Sequence, residues 1–215
     1  MKAVKIFAVA MVALVATSSV KAQEFKASAD IVSSYVWRGT QFAGASVQPT
    51  VDFTAGGFSI GAWGSTSFDG MMQEADLYAK YAFGFGLTLG VTDYYYPGTE
   101  YFNYKKGGSH GFELNAAYTL SGFTLAGNYI LNEGAGTKGG DTYFELGYAY
   151  KNFSVFAGAG DGWHNTVDDK FTFVNVGVSA TKELKLTDSF SLPIKASLIM
   201  NPKTEQVFIV AGITL

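Results

Sequence analysis

Five times in this chain a tight turn is followed by an aromatic or leucine residue and then by alternating apolar and polar side chains. The five segments begin between 29 and 37 residues apart, and they are 58–62, 87–91, 123–127, 153–157 and 190–194. Alternation with a period of two predicts β-strands, because successive side chains of a strand point to opposite faces. A repeat of this length holds one hairpin, and repeated hairpins are typical of closed all-β folds.

Residues 1–22 have the organisation of a secretory signal peptide. Lys2 and Lys5 precede an apolar run, and Val20-Lys21-Ala22 provides a cleavage site before Gln23. The apolar run is shorter than the ~20 residues that a membrane-spanning helix needs. We therefore predict that 1–22 is removed after export and that 23–215 forms a single domain.

The composition excludes several classes of protein. The 15 basic residues include three within the predicted signal peptide, against 18 acidic residues in the whole chain, so the mature chain is acidic and a nucleic-acid partner is not expected. Cysteine is absent, which leaves no disulfide and no cysteine-based metal or redox site. Glycine is frequent (26) and proline is rare (4), a composition that suits many strands joined by tight turns.

Twelve strands are predicted, with ten or fourteen as the alternatives. They lie near 27–38, 46–55, 58–67, 73–83, 87–96, 110–120, 123–131, 142–151, 153–161, 170–181, 190–200 and 206–215. Short turns such as Gly56-Gly57 alternate with longer connections such as 97–109, as the periplasmic turns and extracellular loops of outer-membrane barrels do. With an even strand number both termini are predicted to be periplasmic. The longer segment 182–189 on the short-turn side does not fit this scheme.

The two faces of the predicted strands differ in polarity. In 110–120, for example, Phe112 and Leu114 fall on one face, whereas Glu113 and Asn115 fall on the other. Aromatic residues cluster at both strand ends, where amphipathic rings would meet the two membrane interfaces. These features predict a transmembrane antiparallel up-and-down β-barrel in the outer membrane of a Gram-negative bacterium. A secreted soluble sandwich or barrel is the alternative, because its strands alternate as well.

The segment Ser33-Ser34-Tyr35-Val36-Trp37-Arg38-Gly39, followed by 47–53 with its Pro49, resembles the N-terminal signature of a bacterial family. That family consists of outer-membrane proteins catalogued as porin-like and otherwise conserved hypothetical. The match covers about 20 residues, and the rest of the chain agrees in pattern alone. The resemblance implies a barrel and a pore.

Strand parity places one set of charged residues on the inward face. They are Asp30, Arg38, Asp52, Glu74, Asp76, Lys80, Glu113, Glu145 and Lys195. Because acids outnumber bases in this set, we predict a porin-like channel for passive diffusion of small polar solutes through a weakly acidic lumen. The alternative is a non-conducting structural or ligand-binding barrel that acts through its extracellular loops. In that case a salt-bridge network around Arg38 fills the lumen, since a guanidinium fork can hold two carboxylates.

No catalytic residue is predicted. The two histidines are His110, at a strand start, and His164, in a connection, and the adjacent Ser109 points away from His110 in a strand. A nucleophile and a base need hydrogen-bond reach and a third, orienting group, which nothing local supplies. The chain is therefore predicted not to be an enzyme.

No metal or cofactor is predicted either. Asp161, His164, Asp168 and Asp169 share one connection, but their spacing lacks the calcium-loop pattern, so a solvated acidic loop is expected. The predicted partners are outer-membrane lipid and small polar solutes, and no oligomeric state is predicted. The tyrosine-rich run 94–104 is expected to anchor at the membrane interface, and the alternatives are a folded-in lid or a sugar-stacking surface formed with Lys105 and Lys106. A bulge or a local break is expected at Pro193, because proline cannot donate to a strand ladder.

Overall fold

The computed structural model describes residues 23–188 and 190–215, so the predicted signal peptide lies outside the described residues. The strands are β1 (Gln23–Val32), β2 (Tyr35–Trp37), β3 (Thr40–Ala43), β4 (Ser46–Ala55), β5 (Phe58–Ser67), β6 (Gln73–Ala82), β7 (Leu87–Tyr95), β8 (His110–Leu120), β9 (Phe123–Ile130), β10 (Thr142–Tyr150), β11 (Phe153–Gly160), β12 (Thr172–Lys185), β13 (Ser191–Asn201) and β14 (Gln206–Thr214). A single 3₁₀ turn, Gly162–His164, follows β11 in the described part of the chain.

Twelve of these strands form one closed antiparallel barrel, which confirms the predicted fold class and strand number. β4 to β14 pair in chain order, and β1 closes the ring by pairing with β4 on one side and β14 on the other. β2 and β3 form a separate two-stranded sheet. Within 23–188 and 190–215, no helix is long and apolar enough to cross a membrane.

The first predicted strand is too long. β1 ends at Val32, and the chain then turns back on itself as the hairpin of β2 and β3 instead of continuing to Arg38. Trp37 pairs with Thr40 across a two-residue turn, whose residues Arg38 and Gly39 have φ values of 49° and 79°. Positive φ at both central positions is the geometry of a tight β-hairpin turn.

The segment 182–189 is explained by a longer hairpin between β12 and β13. The ladder continues from Lys182 opposite Ile194 to Lys185 opposite Ser191. Its register does not shift at Pro193, which lies opposite Glu183, so the predicted bulge is wrong. The ladder between β13 and β14 begins only at Ile194. Pro193 therefore precedes this ladder, and its missing N–H costs no hydrogen bond to β14.

The barrel is apolar outside and polar inside. Large apolar side chains are exposed on strand after strand, including Ile60, Leu77, Leu89, Leu125, Leu146, Val178, Leu198 and Ile209. The inward face buries polar and charged side chains, including Gln48, Ser65, Glu74, Asp76, Glu113, Asn175 and Asn201. A soluble sandwich would bury its apolar faces between two sheets, so the single closed wall seen here is not that fold.

Candidate functional site

The β2–β3 hairpin, residues 35–43, lies inside the barrel and is called the lumen hairpin below. It starts at the end of β1, and its tip reaches Glu113 on β8, nearly opposite β1 in the ring. The backbone of Gly39 packs on β12 so closely that an added Cβ would lie 1.9 Å from the carbonyl oxygen of Val174. Asn201 on β13 donates from Nδ2 to the Gly39 carbonyl at 3.2 Å. The lumen hairpin therefore crosses the barrel and touches several sides of its wall.

The tip of the lumen hairpin is held by a bidentate ion pair. Arg38 donates from Nη1 to Oε1 of Glu113 at 2.6 Å and from Nη2 to Oε2 at 2.9 Å. The side chain of Glu113 is 0% exposed and that of Arg38 is 12% exposed. Paired forks of this kind are stronger than neutral hydrogen bonds. The pairing offsets the cost of a non-glycine residue at positive φ, which is about 1–3 kcal/mol.

Two further donors complete the environment of Glu113. Tyr94 donates its hydroxyl to Oε2 at 2.9 Å, and Asn115 donates from Nδ2 to the same oxygen at 2.6 Å. These side chains come from β7 and β8, so the wall presents a prepared acceptor to the incoming guanidinium. The buried carboxylate is compensated and adds little negative potential to the lumen.

Aromatic rings surround the Arg38 guanidinium. Its central carbon lies 4.3 Å from the ring centroid of Trp37 and 4.5 Å from that of Tyr143, both within cation–π range. Trp37 also packs on Trp163, with centroids 5.0 Å apart, and Trp163 belongs to the connection between β11 and β12. A folded-in connection thus packs against the hairpin tip.

His164 follows Trp163 and completes the enclosure of Arg38. Its Nε2 lies 3.3 Å from Arg38 Nη1. Because a guanidinium only donates, Nε2 must accept, which assigns the proton of the neutral ring to Nδ1. Burial and, secondarily, the positive charge of Arg38 lower the pKa of His164 to about 3. The ring is therefore neutral near pH 7.

Glu145 belongs to a second group beside the hairpin tip. It accepts a hydrogen bond from the hydroxyl of Tyr143 and another from Nδ2 of Asn175 at 2.9 Å. Asn175 on β12 also donates to the Tyr143 hydroxyl at 2.9 Å. This group fixes the Tyr143 ring on which Arg38 stacks.

Glu74 and Asp76 lie on β6 beside the start of the lumen hairpin, and both are buried. Tyr35 donates its hydroxyl to Oε2 of Glu74 at 2.9 Å. Oδ1 of Asp76 has no hydrogen-bond partner among the described residues. Glu74 is thus bonded to the lumen hairpin through Tyr35.

Of the other inward charged residues, Asp30 and Lys195 line a cavity of about 190 Å³ beside Tyr35 and Val36 of the hairpin. Asp52 and Lys80 lie toward the short-turn end. Lys80 and Lys195 are exposed. Asp52 accepts a hydrogen bond from the hydroxyl of Tyr78 at 2.6 Å, and Asp30 accepts one from Thr214 at 2.6 Å. A cavity of about 330 Å³ opens beside Lys80 in the more open half of the lumen, toward the short-turn end. Its polar lining comes from Tyr78, Lys80, Thr88, Thr92, Asn115 and Asn128. The predicted set of charges is therefore divided between the hairpin and this open half.

The acidic connection after β11 makes separate contacts. Asp161 accepts from the backbone N–H of Thr142 at 2.6 Å, whereas Asp169 pairs with Lys138. Asp168 pairs with Lys203 at 2.9 Å, and bonds from Lys203 and Asn165 lower the pKa of its carboxyl to about 2. Over the ranges 23–188 and 190–215, no cluster of three or more potential ligands suits a metal ion.

His110 anchors the tyrosine-rich connection between β7 and β8. Its Nδ1 lies 2.8 Å from Asp93 Oδ1, and its Nε2 faces the carbonyl oxygen of Tyr101. The ring stacks on Tyr104 at 4.3 Å and on Tyr95 at 5.3 Å. Through these contacts His110 holds the connection between β7 and β8 in place. The expectation that the whole run 94–104 anchors in the membrane is wrong at Tyr94, which points into the lumen and is buried.

No curated protein sequence matches the chain. Among solved structures, the KdgM porin in complex with disordered oligogalacturonate aligns with a TM-score of 0.48 and 9% identity, over 90% of this chain and 98% of that one. A mutant of the Rh. blastica porin aligns with a TM-score of 0.45 and 14% identity, over 79% of this chain and 55% of the porin. The aligned part thus spans little more than half of that porin.

Because both TM-scores are below 0.5, these alignments say nothing about the activity of this chain. A family model described as "Bacterial protein of unknown function (Gcw_chp)" matches residues 16–192. The matched part includes the lumen hairpin and all strands from β1 to β12. The chain belongs to the Gcw_chp family of bacterial proteins.

Proposed function

We propose that this protein is an outer-membrane channel for small polar solutes, with the lumen hairpin as its closure. The observation that carries the proposal is a polar-lined barrel crossed by one hairpin that polar contacts hold in place. The ion pair of Arg38 with Glu113 keeps the hairpin inside the lumen. Solutes diffuse passively through the barrel when the hairpin leaves.

The membrane location is supported by the outer surface. Exposed apolar side chains circle the barrel, and a soluble protein rarely leaves so large an apolar area in water. In hydrocarbon a closed barrel satisfies every backbone hydrogen bond, which an open sheet does not. The predicted signal peptide, 1–22, would direct export. We place the short-turn end of the barrel, where β1 starts, in the periplasm.

The nature of the solute is inferred from the open half of the lumen. The 330 Å³ cavity has a mixed lining, in which the polar groups of Tyr78, Lys80, Thr88, Thr92, Asn115 and Asn128 stand among alanine, glycine and valine residues. A few placed polar groups on such a wall can exchange hydrogen bonds with small polar solutes. Glu74 and Asp76, exposed once the hairpin leaves, would give the open lumen its weakly acidic character.

Conductance in planar lipid bilayers tests the closure. Refolded wild-type protein is expected to give rare or small conductance steps. A variant in which 35–43 is replaced by a short Gly-Ser linker is expected to give steps several-fold larger and longer lived. Gly39→Ala is a milder second variant, because its methyl group would overlap the Val174 carbonyl and unseat the turn. Heat-modifiable gel mobility and β-type circular dichroism confirm folding of each variant.

Folded variants that conduct no better than a protein-free bilayer would refute the channel. The non-conducting structural or ligand-binding barrel would then be the better description. That reading already has one observation in its favour, since the closed hairpin fills the lumen from one wall to the other.

Ion selectivity tests the acidic residues in the hairpin-replaced protein. Glu74→Gln combined with Asp76→Asn is expected to move the cation-to-anion permeability ratio toward unity, because charged rings set ion preference. The reversal potential in a salt gradient measures this ratio. The matched control, Glu100→Gln with Glu205→Gln, removes two exposed acids from the connections and should leave the ratio unchanged. Equal effects of the two pairs would exclude Glu74 and Asp76 from the conduction path.

A further inference from the structure

The outer face of β6 to β10 carries an apolar groove of about 640 Å³. Its floor consists of small outward residues, Ala79, Ala116 and Gly127, whereas other outward positions carry larger apolar side chains. Ala116 on β8 pairs with Gly127 on β9, so the depression spans these two strands. The ring of Phe144 on β10 borders it beside Gly127. Its walls are formed by Tyr81, Phe83, Leu89, Leu114, Tyr129 and Phe144.

A second cavity, of about 480 Å³, lies at the long-connection end of the same wall. Three lysines line it: Lys105 and Lys106 follow β7, and Lys138 follows β9. Tyr129 lines both cavities. A basic recess is therefore continuous with an apolar groove that runs toward the other end of the barrel.

The three lysines are available to a ligand. The side chains of Lys106 and Lys138 are 85% and 74% exposed. Their acidic partners, Glu133 and Asp169, are about half exposed, and ion pairs between exposed side chains hold their members weakly. Lys105 is exposed and forms no ion pair within the described residues.

We infer that this wall binds one anionic lipid of the outer leaflet whose head group carries phosphate without a balancing cation. The phosphate contacts the three lysines, and an acyl chain fills the groove over Ala116 and Gly127. This inference rests on the proposed outer-membrane location with the long connections outside. An amphiphile matches a basic recess that continues into an apolar groove, whereas a free phosphate uses only the recess. A second copy of the chain fits poorly, because apposing this face would bring two sets of three lysines together.

Native mass spectrometry of the protein refolded in nonionic detergent tests the inference. The probe is lipid A, the bis-phosphorylated anchor of lipopolysaccharide, and one molecule is expected to stay bound. Lys105→Gln, Lys106→Gln and Lys138→Gln together are expected to weaken binding at least about tenfold, since each basic residue near an anionic lipid surface adds to its attraction. Ala116→Leu is expected to weaken it without any change of charge, by filling the groove.

The charge-matched control changes Lys151, Lys182 and Lys185, at the short-turn end, to Gln and should leave lipid A binding unaltered. Equal loss in the control would overturn the assignment. So would equal binding of phosphatidylcholine, or binding that inorganic phosphate abolishes and Ala116→Leu does not change. Flotation with liposomes separates the two proposals. Protein that inserts but retains no lipid A contradicts this inference alone, whereas folded protein that does not insert contradicts the proposed location.

Discussion

Replacing Arg38 with alanine is expected to lower the free energy of unfolding by about 3–5 kcal/mol, because it leaves a buried carboxylate without its counter-charge. Glu113 is fully buried, and its remaining donors, Tyr94 and Asn115, supply hydrogen bonds but no positive charge. Urea titration of the protein in detergent micelles, followed by tryptophan fluorescence, measures this loss. Trp37 and Trp163 lie at the ion pair, so their emission also reports its local release.

A double-mutant cycle separates the ion pair from general damage to the hairpin. Arg38→Ala in a Glu113→Gln background should cost less than in the wild type, with a coupling of about 1–3 kcal/mol for residues in direct contact. Arg38→Lys should rescue part of the loss, because lysine keeps the charge but not the bidentate fork. Additive single-mutant effects would show that the two side chains do not stabilise the hairpin as a pair.

The barrel was predictable from the sequence because its signal is local. The period of two recurs from hairpin to hairpin, and glycine occurs in several of the turns, so each copy reports the same strand geometry. The inward face was assigned through the same parity, so residues such as Glu113 and Glu145 could be placed on it without knowledge of the fold. The extension of β12 to Lys185 was not predictable, because three of the four residues 182–185 are charged. Their pairing with 191–194 depends on the partner strand rather than on their own pattern.

The lumen hairpin was not predictable from such patterns. Tyr35 and Trp37 continue the apparent alternation of β1, and nothing in that alternation marks where a strand leaves the sheet. Arg38-Gly39 is the one local signal, since glycine at the second turn position suits a tight hairpin, but arginine at the first does not. The contacts that hold Arg38 come from residues 75 and 126 positions away, and sequence periodicity carries no information at that range.

The aromatic rings around the Arg38 guanidinium were not predictable for a different reason. Aromatic residues near strand ends were interpreted as a membrane girdle, yet Tyr94 and Trp163 turn inward onto Trp37 and Arg38. Tyr143 shares the parity of Glu145, and that shared parity was the available indication that its ring faces the lumen. An aromatic residue on the polar face of a barrel strand is therefore a candidate for contact with a plug rather than with lipid.

Acidification is expected to loosen the enclosure of Arg38 through His164. The ring is held neutral, with a pKa of about 3, whereas an unfolded or released histidine titrates near 6.5. Between these values the released state binds a proton and the folded state does not. Stability therefore falls as the pH is lowered from about 6.5 to about 3, by at most about 1.4 kcal/mol for each pH unit.

His164→Gln is the matched variant, because glutamine keeps an acceptor for Arg38 but cannot titrate. Urea unfolding in detergent at pH 7, 6, 5 and 4 should show a steeper loss of stability for the wild type than for the variant. Bilayer recordings on the same pair should show more frequent openings of the wild type at low pH. If both proteins lose stability in parallel, the buried ring of His164 is not what couples pH to the hairpin. If stability falls and openings become more frequent at low pH in the wild type but not in His164→Gln, the 162–164 turn contributes to the closure together with Arg38.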